Sequence, residues 1–392
     1  MSTTRTYFDH NATTPISEVV RLAIPQALES WGNPSSIHWE GRGPKTFLRE
    51  ARIKLASMLG AAPLELIFTS GGSEANNAVI KGVYFEMKDS GRNEYITSRV
   101  EHPSVLKAFQ FLQTQGVKVH YLDVNRSGEI DLENYNKCLS EKTALVSIMY
   151  ANNETGAIFP VKQMAALAKQ RGALFHTDAV QALGKISLDL KDLGVDFASF
   201  SAHKFYALKG TGLLYSRRGT EWEPLIHGGG QERYRRGGTE NALGIYAFGL
   251  MAEKLQAVPL EAKKMSDLRN HFEDRVLKEI DRVTVNHSKA LRLANTSSLI
   301  LSDVDGETLL MSLDMKGFAV STGAACSSGN PEPSPTLLAI GLSRQEAQNS
   351  LRVSFGWSND RQQVDRFVEV LKTVVARLRS LNPNQDMPVN HV

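Results

Sequence analysis

The sequence predicts an α/β fold: a doubly wound, mostly parallel sheet covered by helices, followed by a smaller α+β part at the C-terminus. Three observations predict it. β-rich runs alternate with helical patterns from about residue 65 to 216. The pattern changes after a long helical stretch at about 240–282. The composition is that of an ordinary folded chain, with 42% hydrophobic, 22% charged and 8% aromatic residues among 392. Alternation of this kind implies βαβ units, hence a parallel sheet with helices on its faces.

In order, ELIFT (65–69) is followed by a helical stretch over 73–89, and EYITS (94–98) by a helix from about 103. VKVHYL, TALVSIM, ALFHTD, VDFASF and TGLLYS continue the series to Ser216. The 240–282 region reads as a mainly helical connector. After it come SSLILS as a strand, GETLLMSLDMKG as a helix and LRVSF as a strand. In the tail, Val364, Phe367, Val368, Leu371, Val374, Val375 and Leu378 form the stripe of an amphipathic helix. The expected division is a large domain over 15–257 and a small one built from 1–14 and 258–392, with the last dozen residues as a frayed tail.

Several classes are excluded. A net charge of +3, from 45 basic and 42 acidic residues, is too small to argue for nucleic acid or a membrane surface as partner. No apolar run approaches the ~18 residues of a spanning helix. The start, MSTTRTYFDH, lacks a signal-peptide apolar segment, so a cytoplasmic location is expected. The two cysteines stand in no CxxC or Cys/His cluster, so no metal site is expected. Cys138 reads as a small buried hydrophobe near a helix end. Cys326, in STGAACSSGNPEPSP, is different: Gly, Ser and Pro around it predict a mobile loop with little to bury it.

In such sheets ligands bind beyond the carboxyl ends of strands, and the informative residues stand there. TSGGSEANN opens a helix with a glycine-rich turn, whose free N–H groups cradle phosphate. ALFHTD ends at Asp178, with Gln181 three residues on, and VDFASF is followed by Ser201, His203 and Lys204. A phosphate cradle, a carboxylate and a lysine match the needs of pyridoxal phosphate. The phosphate needs donors, the pyridinium nitrogen needs an anion, and the aldehyde needs an amine for a Schiff base. His102 follows EYITS at another strand exit, where an imidazole can stack on the cofactor ring.

At this point the chain resembles the cysteine desulfurases, pyridoxal-phosphate enzymes of the aspartate-aminotransferase fold. The resemblance runs through YFDHNATTP, GNPSSIH, TSGGSEANN, EHPSV, ANNETGAIFP, HTDAVQALGK, SFSAHKFYALKGTG, HGGGQERYRRGGTEN, STGAACSSG and LRVSFG, in the family's order. It implies that Lys204 holds the cofactor covalently, Asp178 pairs with the pyridinium nitrogen, Gln181 bonds the ring oxygen and His102 stacks on the ring. Gly72, Ser73, Ser201 and His203 would hold the phosphate, and Thr239 would reach the phosphate of a neighbouring subunit in a homodimer. Asn153 and Arg352 would grip the carboxylate of L-cysteine, since a guanidinium fork binds a carboxylate bidentately. Cys326 would attack the substrate sulfur, leaving alanine and a persulfide for acceptor proteins of iron–sulfur cluster assembly or thiolation. His102 is a candidate acid/base for the proton transfers.

The chain departs from the family pattern at Trp357-Ser358-Asn359, at Ala207-Leu208 and at Ala202 before His203-Lys204; these touch loop shape and acceptor or substrate preference. Other readings compete. A selenocysteine lyase or an aminotransferase on this fold would share Lys204 and Asp178; Cys326 discriminates against the aminotransferase but not against the lyase. A retained fold acting only as a binding scaffold is disfavoured by the intact Lys204, Asp178, Cys326 and Arg352. His227-Gly228-Gly229-Gly230 imitates a lipase oxyanion hole, but no GxSxG elbow accompanies it. No GxGxxG follows the first predicted strand, which argues against a dinucleotide-binding dehydrogenase.

Overall fold

The computed structural model describes residues 5–287, 291–322 and 332–381; Cys326 and the expected tail lie outside them. In chain order the strands are β1 (Thr6–Tyr7), β2 (Leu66–Thr69), β3 (Glu94–Ser98), β4 (Lys118–Leu122), β5 (Thr143–Ser147) and β6 (Leu174–Asp178). They continue with β7 (Phe197–Ser201), β8 (Gly212–Ser216), β9 (Val283–Val285), β10 (Thr296–Leu301), β11 (Phe318–Ala319) and β12 (Ser350–Ser354).

Strands β2 to β8 form one sheet in the order β2-β8-β7-β6-β5-β3-β4. Every pairing from β7 to β4 is parallel, and β8 alone runs against both its neighbours. The central strands β5, β7 and β8 are buried along their whole length, as covering both faces requires. Edge strand β4 instead exposes Lys118, a charge that discourages pairing with another chain. The antiparallel β8 has a consequence for function. The link from β7 to β8 needs no helical crossover, so His203 and Lys204 sit on a short, tight return rather than on a mobile excursion.

The 240–282 region is not a connector. It divides into a helix at Ala242–Ala252, a 3-10 turn at Glu253–Ala257 and a second helix at Val258–Glu279. The first helix lies in the main core, with Ile245, Ala247, Phe248 and Met251 buried. It approaches the Arg42–Met58 helix so closely that a Cβ on Gly249 would lie 2.5 Å from that of Ala51. Its residues are apolar on every side, so it carries no periodicity to announce a packed face.

The second core is formed by the antiparallel sheet β12-β10-β9, the parallel pair β1-β11 and three helices, Val258–Glu279, Gly306–Met315 and Arg361–Leu381. Phe8, next to β1, packs at 5.3 Å from Phe367 of the last helix, and Phe272 at 5.5 Å. The expected tail stripe from Val364 to Val375 is buried here. The N-terminal residues thus return to this part and carry Asp9, Asn11 and Ala12 toward the main sheet.

One loop is strained. Glu232, Arg233 and Tyr234 have φ of 45°, 60° and 64°, conformations that cost non-glycine residues energy. Anchors to β2 and the residues before it hold them. Glu232 accepts from Arg52 at 2.5 Å and from the Phe68 N–H at 3.1 Å, while Arg233 donates to the Leu64 and Leu66 carbonyls at 3.1 and 2.9 Å. Glu232→Ala should lower the unfolding free energy by about 3 kcal/mol, because it strands the Arg52 guanidinium. A denaturant midpoint shift worth under ~1 kcal/mol would contradict this account.

Candidate active site

The carboxyl ends of β2, β3, β5, β6 and β7 open on one edge of the sheet, and there a cavity of about 440 Å³ is found. Its walls include Gly72, Ser73, His102, Asn153, Asp178, Gln181, Ser201, His203, Lys204 and Arg352. These positions span 281 residues of sequence, and the fold brings them to one space. Thr239 lies outside this cavity, on an exposed stretch of the 226–241 loop. That loop is tied to the cavity edge by Arg236, whose guanidinium donates to both oxygens of Glu74 at 2.9 and 3.2 Å.

The Gly72–Met87 helix starts at the cavity. The N–H groups of its first turn have no carbonyl partner within the helix, the condition for anion binding. Glycine is required here by space. A Cβ on Gly72 would stand 2.6 Å from Val180 Cγ2, and one on Gly212 of β8 would stand 2.5 Å from the Gly71 Cα. Glu74 locks the turn by accepting the Ser70 N–H at 2.9 Å.

Asp178 ends β6 and is buried. One carboxylate oxygen accepts from Asn76 Nδ2 at 2.7 Å, and the other from the Val180 N–H at 3.0 Å. Asn76 also donates to Ser104 Oγ at 2.9 Å, which directs that hydroxyl proton to His102 Nδ1, 2.8 Å away. His102 Nδ1 further accepts the Ser104 N–H at 3.1 Å as the N-cap of the Pro103–Thr114 helix. With Nδ1 accepting twice, the ring proton belongs on Nε2. Burial lowers the imidazole's pKa, Lys204 lowers it further and Asp178 opposes both. The ring is therefore neutral near pH 7, although its cavity side is open. His203 is neutral too: burial, with Lys204 and Lys209, pushes it down to about 4, and its Nδ1 pairs with Thr13 Oγ1 at 3.0 Å.

Lys204 Nζ donates to the carbonyl oxygens of Asn11 and Ala12, each at 2.7 Å. Burial lowers its pKa to about 8, and the charge of Arg352 acts in the same direction, against Asp9 and Asp178. A substantial fraction of this amine is thus unprotonated at neutral to mildly alkaline pH, as a nucleophilic lysine requires.

Arg352, on β12, is buried rather than surface-exposed. Its Nη2 donates to Asp9 at 2.7 Å and its Nη1 to the Asn153 carbonyl at 3.2 Å. Its Nε is buried without a partner among the described residues. Arg352 lines the cavity, and each terminal nitrogen carries a second N–H beyond these two bonds that an anion bound there can use.

Three further side chains matter and carry weaker sequence signals. Asn76 is a turn into the Gly72–Met87 helix, Asn11 is the centre of YFDHNATTP, and Lys185 follows Gln181 by four residues. Only that i, i+4 spacing could have drawn attention to Lys185. Cys138 ends the Leu132–Cys138 helix half-buried, and burial raises its thiol pKa. Among the described residues no group of His, Cys, Asp and Glu is arranged to hold a metal ion, and no helix is long and apolar enough to cross a membrane.

A doubly wound sheet whose strand exits present a glycine-rich helix start, a held carboxylate and a desolvated lysine suits a class-V aminotransferase, and the family model for aminotransferase class-V matches residues 6–367, so the chain belongs to that class. Within that class the chain belongs to the cysteine desulfurases. It is 43% identical over 387 residues to "Cysteine desulfurase IscS" of Dictyoglomus turgidum, covering 98% of both chains. It is 41% identical to "Cysteine desulfurase IscS" of Clostridium botulinum strain Hall, covering 96% of both. The solved structure titled "NIFS-LIKE PROTEIN" superposes with a TM-score of 0.90 at 36% identity, covering 95% of this chain and 100% of that one. "SspA in complex with cysteine" gives a TM-score of 0.79 at 33% identity, covering 90% and 99%. The family depends on pyridoxal phosphate.

Proposed function

We propose that the chain is a pyridoxal-phosphate-dependent cysteine desulfurase. It takes the sulfur of L-cysteine, releases L-alanine and carries the sulfur as a persulfide on Cys326 to acceptor proteins for iron–sulfur cluster assembly or thiolation. The observation that carries this reading is the placing of Lys204 Nζ, the Asp178 carboxylate, the N-terminus of the Gly72–Met87 helix and the Arg352 guanidinium around one cavity.

The residues present fit the cofactor. Gly72 and Ser73 offer helix N–H groups and a hydroxyl to its phosphate, with Ser201 and the neutral His203 alongside. Asp178, oriented by Asn76 and the Val180 N–H, suits a pyridinium partner, and Gln181 an amide bond to the ring oxygen. Neutral His102 suits stacking. When bound, pyridoxal phosphate supplies an electron sink for the bonds broken at the substrate's α-carbon and sulfur.

The chain's own groups perform the remaining work. Arg352 and Asn153 hold the carboxylate and so turn the substrate's thiol away from them. Lys204, titrating near neutrality, binds the cofactor aldehyde and then moves a proton at the substrate α-carbon, and His102 Nε2 is a second proton carrier. The Cys326 thiolate attacks the cysteine sulfur. An S–S bond forms, the Cβ–S bond breaks, and Cβ takes a proton to become the methyl group of alanine. The 15–257 part would hold the cofactor, and the part made of 1–14 and 258–392 would supply Arg352 and the cysteine loop. Thr239 would act across a homodimer.

The test is product identification: incubate the protein with pyridoxal phosphate, a reductant and L-cysteine or L-selenocysteine. Equal amounts of alanine and sulfide support the reading, and a keto acid as main product would overturn it. Release of selenide with little sulfide would assign a selenocysteine lyase instead. Arg352→Ala should raise the cysteine concentration for half-maximal rate by about 10–100-fold, the ~1.5–3 kcal/mol of a charge-assisted contact. An unchanged concentration dependence would remove Arg352 from carboxylate binding.

A further inference from the structure

Lys185 is a buried amine for which the mechanism above has no use. It is only 5% exposed, and no carboxylate among the described residues pairs with it. Burial pushes its ammonium well below the usual lysine range, and the charges of Lys204 and Arg352 push the same way. An unpaired buried lysine is costly, and an apolar side chain would fill the same space more cheaply. Its retention calls for a task.

That task is visible in its two acceptors. Lys185 Nζ donates to Asn11 Oδ1 at 2.7 Å and, over a short contact, to Gln181 Oε1. A carboxamide has one end that accepts and one that donates, and the two are nearly the same size. Nothing in its shape decides which end of Gln181 faces the cavity. Lys185 Nζ decides it together with the Asn11 carbonyl: the amine gives one N–H to Asn11 Oδ1 and another to Oε1, and the carbonyl, which can only accept, takes Nε2. Gln181 Nε2 is thereby turned away from Lys185; one of its N–H bonds goes to the Asn11 carbonyl at 2.9 Å. The other remains for the cavity that Gln181 lines.

The second acceptor extends the same control. Asn11 Oδ1 also accepts from Asn295 Nδ2 at 3.1 Å, and Asn11 Nδ2 donates to Thr296 Oγ1 at 2.9 Å and to the Asn153 carbonyl at 3.0 Å. With its side chain so fixed, the Asn11 carbonyl is the seat on which Lys204 Nζ rests at 2.7 Å. We propose that Lys185 is a positioning residue: it fixes the amide of Gln181 so that an N–H, not a carbonyl, meets the cofactor ring oxygen, and through Asn11 it seats Lys204. The proposal rests on the pyridoxal-phosphate reading above.

The test is a pH titration of the visible absorbance of protein loaded with pyridoxal phosphate. It compares wild type, Lys185→Met, Gln181→Ala and the double variant. An N–H bonded to the ring oxygen stabilises its deprotonated form and makes the neighbouring lysine-linked nitrogen less basic. Lys185→Met should therefore raise the absorbance midpoint by about one pH unit, a tenfold change in proton affinity. Gln181→Ala should raise it by a similar amount, and the double variant should shift no further than either single one.

Among the described residues the titratable groups facing Lys185 are Lys204, Arg352, His10 and Tyr206, whose phenol burial raises far above neutrality. His10 is held near 4 by burial, with help from Lys185 itself, so it does not titrate in the range read. If Lys185→Met does not fold, Lys185→Gln puts a carboxamide, with an accepting as well as a donating end, in place of the amine while keeping polarity, and it should shift the midpoint in the same direction. A midpoint unchanged from wild type overturns the proposal. So does a double variant whose shift is the sum of the two single shifts, since Lys185 would then act by charge without Gln181. Wild-type protein that takes up no pyridoxal phosphate overturns instead the functional reading beneath it.

Discussion

Lys204→Ala is expected to bind pyridoxal phosphate without retaining it covalently. Borohydride treatment followed by denaturation and dialysis should leave the cofactor on the wild-type chain and remove it from the variant. Sulfide release should fall by about 10⁴-fold or more, because one substitution removes both the covalent tether and the group that moves the α-proton. The pH dependence of cofactor uptake follows from the burial of the amine, whose pKa is lowered to about 8. Only the unprotonated amine attacks the aldehyde. The uptake rate should therefore rise about tenfold per pH unit below that midpoint and level off above it. A variant that still holds the cofactor through denaturation would place the covalent link on another lysine.

Cys326→Ser is expected to keep the cofactor and to respond to added cysteine with the wild-type change in colour, yet to release alanine and sulfide at least about 10³-fold more slowly. The chemistry sets this separation. In the proposed reading cofactor and carboxylate binding draw on Lys204, Asp178 and Arg352, whereas sulfur transfer needs a thiolate, and a serine hydroxyl at neutral pH is neither ionised nor attracted to sulfur. Labelling supplies an independent check. After one turnover with sulfur-labelled cysteine, wild-type protein should carry label that dithiothreitol removes, and the variant should carry none. Full sulfide release by the variant would eliminate the persulfide route.

These two residues are candidates for different reasons. Lys204 follows a strand, and a strand exit in a doubly wound sheet is where ligands bind. Cys326 stands among glycine, serine and proline, where a buried structural role has nothing to support it. Arg352 was legible only through the family resemblance. Its burial depends on Asp9, 343 residues away in sequence, and no local pattern encodes that contact. Asn11 and Lys185 were missed for a related reason. Their importance lies in hydrogen bonds to Gln181 and Lys204, and a sequence records which groups can donate but not which will meet.

The helix at Ala242–Ala252 shows the converse. Its residues are uniformly apolar, so the periodicity that normally marks a packed face was lost just where packing is most complete. The run Glu232 to Tyr234 offered no warning of its left-handed backbone, since none of the three residues is glycine; the Arg52 ion pair holds it there.

What the sequence determined by itself was the alternation that dictates a parallel sheet, the glycine turn, and the residue types standing at strand exits. Those are short-range matters of backbone preference and side-chain chemistry. Which of those residues share a cavity, which way an amide faces and whether an amine is desolvated were decided only by the tertiary structure. Each depends on distances and burial created when segments far apart in the chain pack together.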